Sequence, residues 1–335
     1  MEYNDLNPFI VHCYYAIFVT LALSTNGLLI YLIRYKSPNI VRSLKAMLIN
    51  MCAMQILTAL TAALLQGRLI ASGSSIAILS EGPLCMFGPM AGLIAFNITI
   101  ATTFYIELSR AHTVFWRYRM LQLRQMNKVE LLLSFAMIVI WPLLILVLSL
   151  TESPQFDIVM KDAIRLHRNY NLVRYGEFGG FEPKSPNQTI CVFSGTVTAI
   201  TSPILILYLR RLILKTFDNS NHQYSEKTVQ SSKMFLKALT MQAMLPILSF
   251  VPASLFATLA LASGSETPIS EYLSISITTL PCVIDPLIAF YFVPPYRAWV
   301  LRKLCKRSTP IKAESTWKSI TSSNPLRAPV ITAVV

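Results

Sequence analysis

Two groups of residues inside apolar segments carry side chains that could do chemistry. Glu107 and Arg110 lie three residues apart in "FYIELSRAHTVFW", so on a helix they share one face and can pair. Asp285 precedes Pro286 in "LPCVIDPLIAFYF", where the proline is expected to kink the helix and free a carbonyl beside the carboxylate. Ionisable groups within membrane segments are costly and usually functional. They predict a charged switch that exchanges polar partners between two helix packings. The polar residues that could pair with this acidic site are Asn26, Gln55 and Asn97.

Each group also has a purely structural alternative. Glu107 and Arg110 could be an ordinary interfacial pair whose side chains reach toward water. Asp285 could be buried, protonated and satisfied by a neighbouring amide. Both alternatives stay open at the level of the sequence.

Composition places these residues in a membrane protein. The chain has 335 residues, of which 54% are apolar and 13% are charged, and its mean hydropathy is +0.53. Soluble domains carry about 25% charged residues. The net charge of +13 does not indicate nucleic-acid binding, because the basic residues lie in the gaps between apolar runs. The first eight residues include Glu2 and Asp5 but no basic residue, so we expect no cleaved signal peptide.

Seven apolar runs are long enough to cross a bilayer as helices, which need about 20 residues. The sequence therefore predicts an all-α membrane protein, a seven-transmembrane helix bundle with a short amphipathic helix after the last span. Residues 1–8 would precede the bundle, 9–293 would form it, 294–307 would form the amphipathic helix, and 308–335 would be a cytoplasmic tail. The predicted spans are 9–33, 46–66, 83–109, 129–150, 191–214, 234–262 and 272–293.

Basic residues set the expected orientation. Most of the 29 lysines and arginines follow the first, third, fifth and seventh spans. By the positive-inside rule, the N-terminus and the long loop 152–190 are extracellular and the tail is cytoplasmic. We expect the protein in the plasma membrane.

Cysteines and a glycosylation sequon agree with this orientation. Cys85 and Cys191 would lie at the outer ends of two spans, where a disulfide can persist. Cys13, near the outer end of the first span, is a competing partner, and two free thiols remain the alternative. Asn187 begins the sequon Asn-Gln-Thr in the long outer loop. At the opposite side, Cys305 follows the amphipathic helix and could be palmitoylated.

Two segments resemble a known family. "KALTMQAMLPILSFVPASLF" (237–256) and "LPCVIDPLIAFYFVPPYRAWVLRKL" (280–304) are similar to the sixth-helix and seventh-helix signatures of nematode serpentine chemoreceptors of the Str superfamily, with the Srd branch as the nearest group. The resemblance implies a G-protein-coupled receptor of sensory cilia that binds small, odorant-like environmental chemicals. Relative to rhodopsin-type receptors, Glu107 and Arg110 are separated by two residues, and Asp285 replaces the usual Asn before Pro286.

This hypothesis assigns a ligand end and a coupling end to the bundle. The ligand pocket would lie between spans 3, 5, 6 and 7 beneath the outer loop, and a heterotrimeric G protein would contact the cytoplasmic face near Arg110. The sequence is compatible with a monomer and with a dimer. Candidate pocket residues are Phe87, Phe96, Phe193 and Phe256, and candidate G-protein-facing residues are Arg117, Arg119, Lys233 and Lys237.

Other function classes fit the sequence less well. A ligand-gated channel or transporter of seven-helix architecture is the main alternative, but a transporter would tend to show internal repeats and several buried charges. We expect no enzyme, metal or cofactor, because the four histidines show no metal-ligand spacing. A retinal photoreceptor would need a lysine in the seventh span, and 272–293 contains none.

Overall fold

Helices dominate the chain. The computed structural model describes residues 8–37, 42–72, 75–121, 128–151, 156–182, 185–219, 226–263 and 268–304. Six helices are long and apolar enough to cross a membrane, and two shorter helices joined at a bend form a seventh span. This confirms the predicted all-α seven-helix architecture. The spanning helices are α1 (Pro8–Lys36), α2 (Arg42–Leu65), α3 (Pro89–Leu121), α4 (Lys128–Thr151), α6 (Pro186–Asn219), α7 (Glu226–Ser263) and the pair α8 (Pro268–Thr279) and α9 (Pro281–Phe292).

Proline marks the start of many of these helices. Its ring fixes φ near the helical value, and its missing N–H costs nothing in the first turn, where backbone donors have no helical partner. Helices α1, α3, α6, α8 and α9 all begin at a proline, as does α10 (Pro294–Leu304). The positions of the prolines therefore explain several helix boundaries that hydropathy alone places a few residues away.

A small sheet covers one end of the bundle, and the sequence did not predict it. Strands β1 (Gly67–Ser72), β2 (Ser75–Ser80) and β3 (Gly179–Phe181) form an antiparallel sheet in that order. The short helix α5 (Phe156–Leu166) packs on it. We call these three strands and α5 the cap, and the end of the bundle that carries it the cap end. The predicted loop 152–190 is thus largely ordered, and α6 begins before residue 191.

The cap has its own apolar core. Ile70 and Leu79 from the hairpin pack against Val159 and Ala163 of α5. Gly180 allows β3 to approach β2, because a Cβ there would lie 2.1 Å from the Ile76 carbonyl oxygen. This packing makes the cap a structured layer on the bundle.

The spans differ in how deeply they are buried. In α3, 67% of the most apolar window is buried inside the protein, whereas in α4 only 11% is. Helix α3 is therefore the central helix, and α4 presents most of its surface to lipid. Any polar side chain on α3 consequently has to find its partners within the bundle.

The seventh span bends at a different proline from the predicted one. Helices α8 and α9 meet at an angle of 41° on either side of Leu280, directly before Pro281. Pro286, where the sequence predicted a kink, lies inside the continuous helix α9. The break in the span therefore falls at Pro281, and α9 continues as a helix through Pro286.

Contacts divide the chain into two units, Met1–Arg297 and Ala298–Val335. The first contains the bundle and the cap. Within this unit, the hydroxyl of Tyr296 hydrogen-bonds to Ser37 at the end of α1, and burial raises the pKa of Tyr296. In the second unit the structure describes the end of α10. The rest of the predicted helix 294–307, with Cys305, and the predicted tail 308–335 lie outside the described residues.

Candidate functional site: a buried ion cluster

Arg110 joins the central helix to the seventh span. One guanidinium nitrogen, Nη1, donates to Glu107 Oε1 one turn earlier on α3, and the other, Nη2, donates to Asp285 Oδ2 on α9. The i, i+3 spacing predicted the first contact. The second contact was not predicted, because the sequence analysis proposed only amide side chains as partners of Asp285.

Two amide side chains complete the surroundings of Asp285. Gln55 of α2 donates from Nε2 to Asp285 Oδ2 at 2.5 Å, as the sequence predicted. Gln242 of α7 donates to the backbone carbonyl of Asp285 at 2.9 Å. Asn97, the third predicted partner, is buried in α3, and its Nδ2 has no hydrogen-bond partner among the described residues.

Asn26 compensates for Pro286. Pro286 has no N–H, so the carbonyl of Cys282, four residues earlier, loses its helical donor. Asn26 Nδ2 of α1 donates to that carbonyl at 2.8 Å and to Ala22 O at 2.9 Å. The freed carbonyl therefore has a donor from another helix, and α9 continues through Pro286 without breaking.

We call Asn26, Gln55, Glu107, Arg110 and Asp285 the Arg110 cluster. Helices α1, α2, α3, α7 and α9 all contribute to its contacts, and the hydroxyl of Ser202 on α6 donates to the Glu107 carbonyl at 3.2 Å. Six of the seven spans thus meet around one buried guanidinium.

The charges of the cluster are not balanced. Arg110 and Asp285 are 0% exposed and Glu107 is 2% exposed, so one cation faces two carboxyl groups away from water. Buried charges are tolerated only when they are paired and hydrogen-bonded. Glu107 Oε2 and Asp285 Oδ1 accept no hydrogen bond from the described residues, so each carboxyl group has a second oxygen free for a different partner.

A second polar cluster attaches the seventh span to the cap. Arg68 of β1 is 0% exposed, and its Nε donates to Glu271 Oε2 of α8 at 2.8 Å. Tyr170 donates to the other oxygen of Glu271 at 2.8 Å. The guanidinium also lies 4.4 Å from the ring centre of Tyr170 and 5.2 Å from that of Tyr272, which are favourable cation–π distances.

Glu81 is a second anchor in this cluster. Its Oε1 accepts hydrogen bonds from the hydroxyls of Tyr272, at 2.5 Å, and Tyr175, and Arg174 Nη2 lies 3.5 Å away. Burial and the Glu81 carboxylate raise the pKa of Tyr175, so this hydroxyl remains a donor throughout the physiological pH range. We call Arg68, Glu81, Tyr170, Glu271 and Tyr272 the cap cluster.

The sequence analysis did not predict the cap cluster. Neither Arg68 nor Glu271 is among the predicted site residues, and Glu271 lies directly before the predicted span 272–293. The two residues are 203 positions apart. Their one distinctive feature is that each is a single charge directly beside a long apolar run.

The predicted disulfide is absent from the structure. Cys85 is exposed in the 3₁₀ turn Pro83–Phe87, whereas Cys191 is buried in α6 and its Sγ lies 3.2 Å from Ser149 Oγ on α4. Cys191 packs between two spans instead of facing the turn, which is why the prediction was wrong. Asn187 is the second residue of α6 and is half-buried.

The four predicted pocket phenylalanines do not come together. Phe87 is 76% exposed and Phe193 is 68% exposed, so neither lines an interior pocket. Phe96 is buried and stacks on Phe181 of β3 with ring centres 6.1 Å apart. The side chain of Phe256 lies outside the described residues.

The predicted G-protein-facing residues lie near the C-terminal end of α3 and in the N-terminal third of α7. Arg117 and Arg119 are half-buried near the end of α3, and the Arg119 guanidinium lies 5.4 Å from the ring centre of Trp116. Lys233 and Lys237 are exposed on α7, and Lys237 Nζ lies 5.5 Å from the ring centre of Phe292. Among the described residues, no group of three or more His, Cys, Asp or Glu is placed to hold a metal ion.

The fold and the buried ion pair define a multi-pass helical membrane protein, and comparison with known proteins identifies its family. Residues 11–302 match the model of the family described as "Serpentine type 7TM GPCR chemoreceptor Srd". Serpentine receptor class delta-59 of Caenorhabditis elegans is 31% identical over 301 residues, covering 88% of this chain and 92% of the relative. Class delta-51 from the same organism is 26% identical over 306 residues, covering 91% and 90%. The chain belongs to the Srd family of serpentine chemoreceptors.

A solved structure supports the fold independently. The crystal structure of squid rhodopsin superposes with a TM-score of 0.63 and 14% sequence identity, covering 97% of this chain and 95% of that one. At such low identity the likeness concerns the fold alone. It confirms the multi-pass membrane bundle that the apolar runs predicted.

Proposed function

We propose that the protein is a chemosensory receptor that binds a small environmental ligand near the cap end and signals to a heterotrimeric G protein at the opposite end. The observation that carries the proposal is the Arg110 cluster, in which one buried guanidinium joins α3 to α9 and has two competing carboxylates. Buried elements with two discrete sets of partners can be biased by a distant ligand.

The site of the ligand is proposed in the interior between the cap and the Arg110 cluster. Phe104 of α3 stacks on Phe250 of α7 with ring centres 6.2 Å apart, and a Cβ at Gly195 of α6 would lie 2.5 Å from the Phe104 ring. Three spans thus meet at aromatic surfaces there. Interior surfaces of this kind suit a small apolar or odorant-like molecule.

The cap cluster provides the connection from the ligand end. Arg68 and Glu81 hold α8 through Glu271 and Tyr272, and the bend at Leu280 separates α8 from the α9 segment that carries Asp285. Movement of α8 relative to the cap would therefore change the position of α9. This path runs through contacting side chains and rigid helices.

The orientation is proposed from charge. With the cap outside and the basic ends of α3 and α7 in the cytoplasm, Arg117, Arg119, Lys233 and Lys237 would face the G protein. The plasma membrane and, by family resemblance, the sensory cilium are the proposed locations. Whether Cys305 is palmitoylated stays a prediction.

Nucleotide exchange in a ligand-free system tests the proposal. Purified receptor in nanodiscs is mixed with heterotrimeric G proteins of each major class, and basal GTP analogue binding is measured. Asp285→Asn weakens the link between α3 and α9, so we expect exchange to rise severalfold on the matching G protein. Asp157→Asn, an exposed position in α5, is the matched control and should leave exchange at the wild-type rate.

The outcome against the proposal is equally specific. If wild type and Asp285→Asn promote no exchange above empty nanodiscs with any G-protein class, at equal amounts of folded receptor, coupling to G proteins is wrong. If both promote exchange at the same rate, the receptor couples but the Arg110 cluster is not its switch.

A further inference from the structure

A groove on the lipid-facing side of the bundle carries a buried hydrogen-bond donor. The groove lies between α3, α4 and α6, has a volume of about 440 Å³, and is lined by apolar side chains together with His112. Its volume is within the range of small-molecule sites, about 300–1,000 Å³. The groove is separate from the Arg110 cluster and from the cap, and the proposed function makes no use of it.

The contacts of His112 define its tautomer. Trp116 Nε1 can only donate, and its one hydrogen is shared between His112 Nε2 and Ser134 Oγ, the latter at 3.2 Å. His112 Nε2 is therefore the acceptor nitrogen of a neutral imidazole, and Nδ1 carries the proton. His112 is 9% exposed, and its Nδ1 has no hydrogen-bond partner among the described residues. A buried N–H without an acceptor is costly, so a lipid-phase molecule with one acceptor oxygen would gain free energy by binding there.

The depth of His112 in the bilayer limits the class of molecule. Its ring lies 5.6 Å from that of Phe135, seven residues after the start of α4, which corresponds to about 10 Å from that end of the helix. The other groove residues continue toward the middle of α4, to Trp141. The groove therefore has its polar group near one edge of the hydrocarbon layer and its apolar wall toward the centre. This arrangement matches an amphiphilic molecule that has one polar group at one end.

The walls favour a rigid molecule over an acyl chain. Phe115 and Trp141 present partly exposed rings, and Leu205 of α6 closes the far side. A flexible acyl chain loses rotamer freedom when it is held against such a surface, whereas a fused-ring body has little to lose.

We propose that this groove is a binding site for a sterol, whose hydroxyl oxygen accepts a hydrogen bond from His112 Nδ1 and whose ring system packs on Phe115, Trp141 and Leu205. His112 follows Arg110 by two residues on the same helix. A sterol that binds one position of α3 better than another would shift the equilibrium of the Arg110 cluster.

Photolabelling tests the site directly. The full chain is placed in phosphatidylcholine nanodiscs with a photoreactive cholesterol analogue, and labelled peptides are mapped by mass spectrometry. We expect saturable labelling of the α3 and α4 segments that unlabelled cholesterol displaces. The 3α-hydroxyl epimer keeps the ring system but moves the hydroxyl, and should displace the probe less well.

Variants separate the hydrogen bond from the groove. His112→Phe keeps the ring and removes the donor, and should weaken apparent affinity about fivefold, since one hydrogen bond contributes about 1 kcal/mol. Leu205→Trp fills the groove and should abolish saturable labelling. Leu143→Trp, an exposed position on α4 outside the groove, is the control and should label like wild type.

Two results would overturn the proposal. Labelling that does not saturate and is equal in wild type, Leu205→Trp and Leu143→Trp indicates annular lipid only. Labelling that is lost in Leu205→Trp but unchanged in His112→Phe, with both epimers competing equally, removes His112 from the site. If His112→Phe is not monodisperse, the epimer comparison on the wild type tests the same hydrogen bond.

Discussion

Arg110 shares one positive charge between two buried carboxyl groups. Removing the guanidinium should therefore destabilise the protein more than removing the charge of one carboxyl group. Arg110→Met leaves Glu107 and Asp285 buried without a cation, and the loss of one partner of a buried pair costs about 3–5 kcal/mol. Asp285→Asn leaves a one-to-one pair of Arg110 with Glu107, while Gln55 can still hydrogen-bond to the new amide. Thermal unfolding of purified protein should therefore show a much larger loss of stability for Arg110→Met.

The control for this comparison is Arg165→Met, because Arg165 is exposed in α5 and surface charges contribute little. Its unfolding temperature should stay close to that of wild type. An equal loss of stability for Arg110→Met and Asp285→Asn, or a larger loss for Asp285→Asn, would contradict the shared-cation arrangement.

Asn26 and Pro286 should be energetically coupled. In wild type, Asn26→Leu leaves the Cys282 carbonyl without a donor, at a cost of about 1–3 kcal/mol. Pro286→Ala restores the N–H that normally pairs with that carbonyl, so in this background Asn26→Leu should cost less than about 1 kcal/mol. A double-mutant cycle on unfolding free energy measures the difference.

A suitable reference for this cycle is Thr20→Val in α1. Thr20 Oγ1 donates to Ala16 O of its own helix at 2.7 Å, and the effect of Thr20→Val should be the same with proline or alanine at 286. Equal costs for Asn26→Leu in the two backgrounds would mean that Asn26 does not act through the freed carbonyl.

For individual residues, the sequence indicated which types of side chain would act as partners, but it did not identify every pair of contacting residues. Gln55 and Asn26 were foreseen, because an acid and a freed carbonyl in lipid require donors from other helices. The pair of Arg110 with Asp285 was not, since the residues are 175 positions apart and hydropathy does not determine which helices become neighbours. For the same reason Cys85 and Cys191 were joined in the prediction although α6 turns Cys191 toward α4.

At the scale of elements, the helices were predictable and the cap was not. Long apolar runs in lipid must be helical, but β1 and β2 are each six residues long and directly follow α2. Both strands fall in the short connection 67–82 between the second and third predicted spans. The strands are stable because β3 and α5, about a hundred residues later, cover them, and no local pattern contains that information.

The attachment of α8 to the cap is a testable property of these elements. Glu271→Gln removes the carboxylate that pairs with the buried Arg68 and leaves a weaker amide acceptor. Hydrogen bonds to charged groups contribute about 1.5–3 kcal/mol, so local opening should become at least about tenfold more frequent. Hydrogen–deuterium exchange should rise together in β1 (Gly67–Ser72) and α8 (Pro268–Thr279).

Glu177→Gln makes the same chemical change at an exposed position and should leave exchange in both elements unaltered. If Glu271→Gln raises exchange in α8 alone, the ion pair does not connect the two elements. The cap would then have no route to the seventh span through Arg68.

At the scale of the whole molecule, the fold depends on patterns that tolerate extensive substitution. Squid rhodopsin shares only 14% of its residues with this chain yet covers 97% of it. Seven apolar runs and their connections specify the bundle, and burial then decides which span becomes central. The contrast between α3, 67% buried, and α4, 11% buried, follows the charged residues, because α3 carries Glu107 and Arg110, whose charges are costly in contact with lipid.

Membrane orientation is the remaining property of the whole molecule, and the sequon at Asn187 tests it. In animal cells, Asn187→Gln and Thr189→Ala should each abolish a glycosidase-sensitive mobility shift, whereas Thr189→Ser preserves the sequon and should keep the shift. Wild type and all three variants should present a C-terminal epitope only after permeabilisation, because the positive-inside rule predicts that the basic residues near the ends of α1, α3 and α6 and after α9 lie in the cytoplasm. An epitope accessible on intact cells would reverse the topology. The cap would then face the cytoplasm, and the basic ends of α3 and α7 would lie where no G protein can reach them.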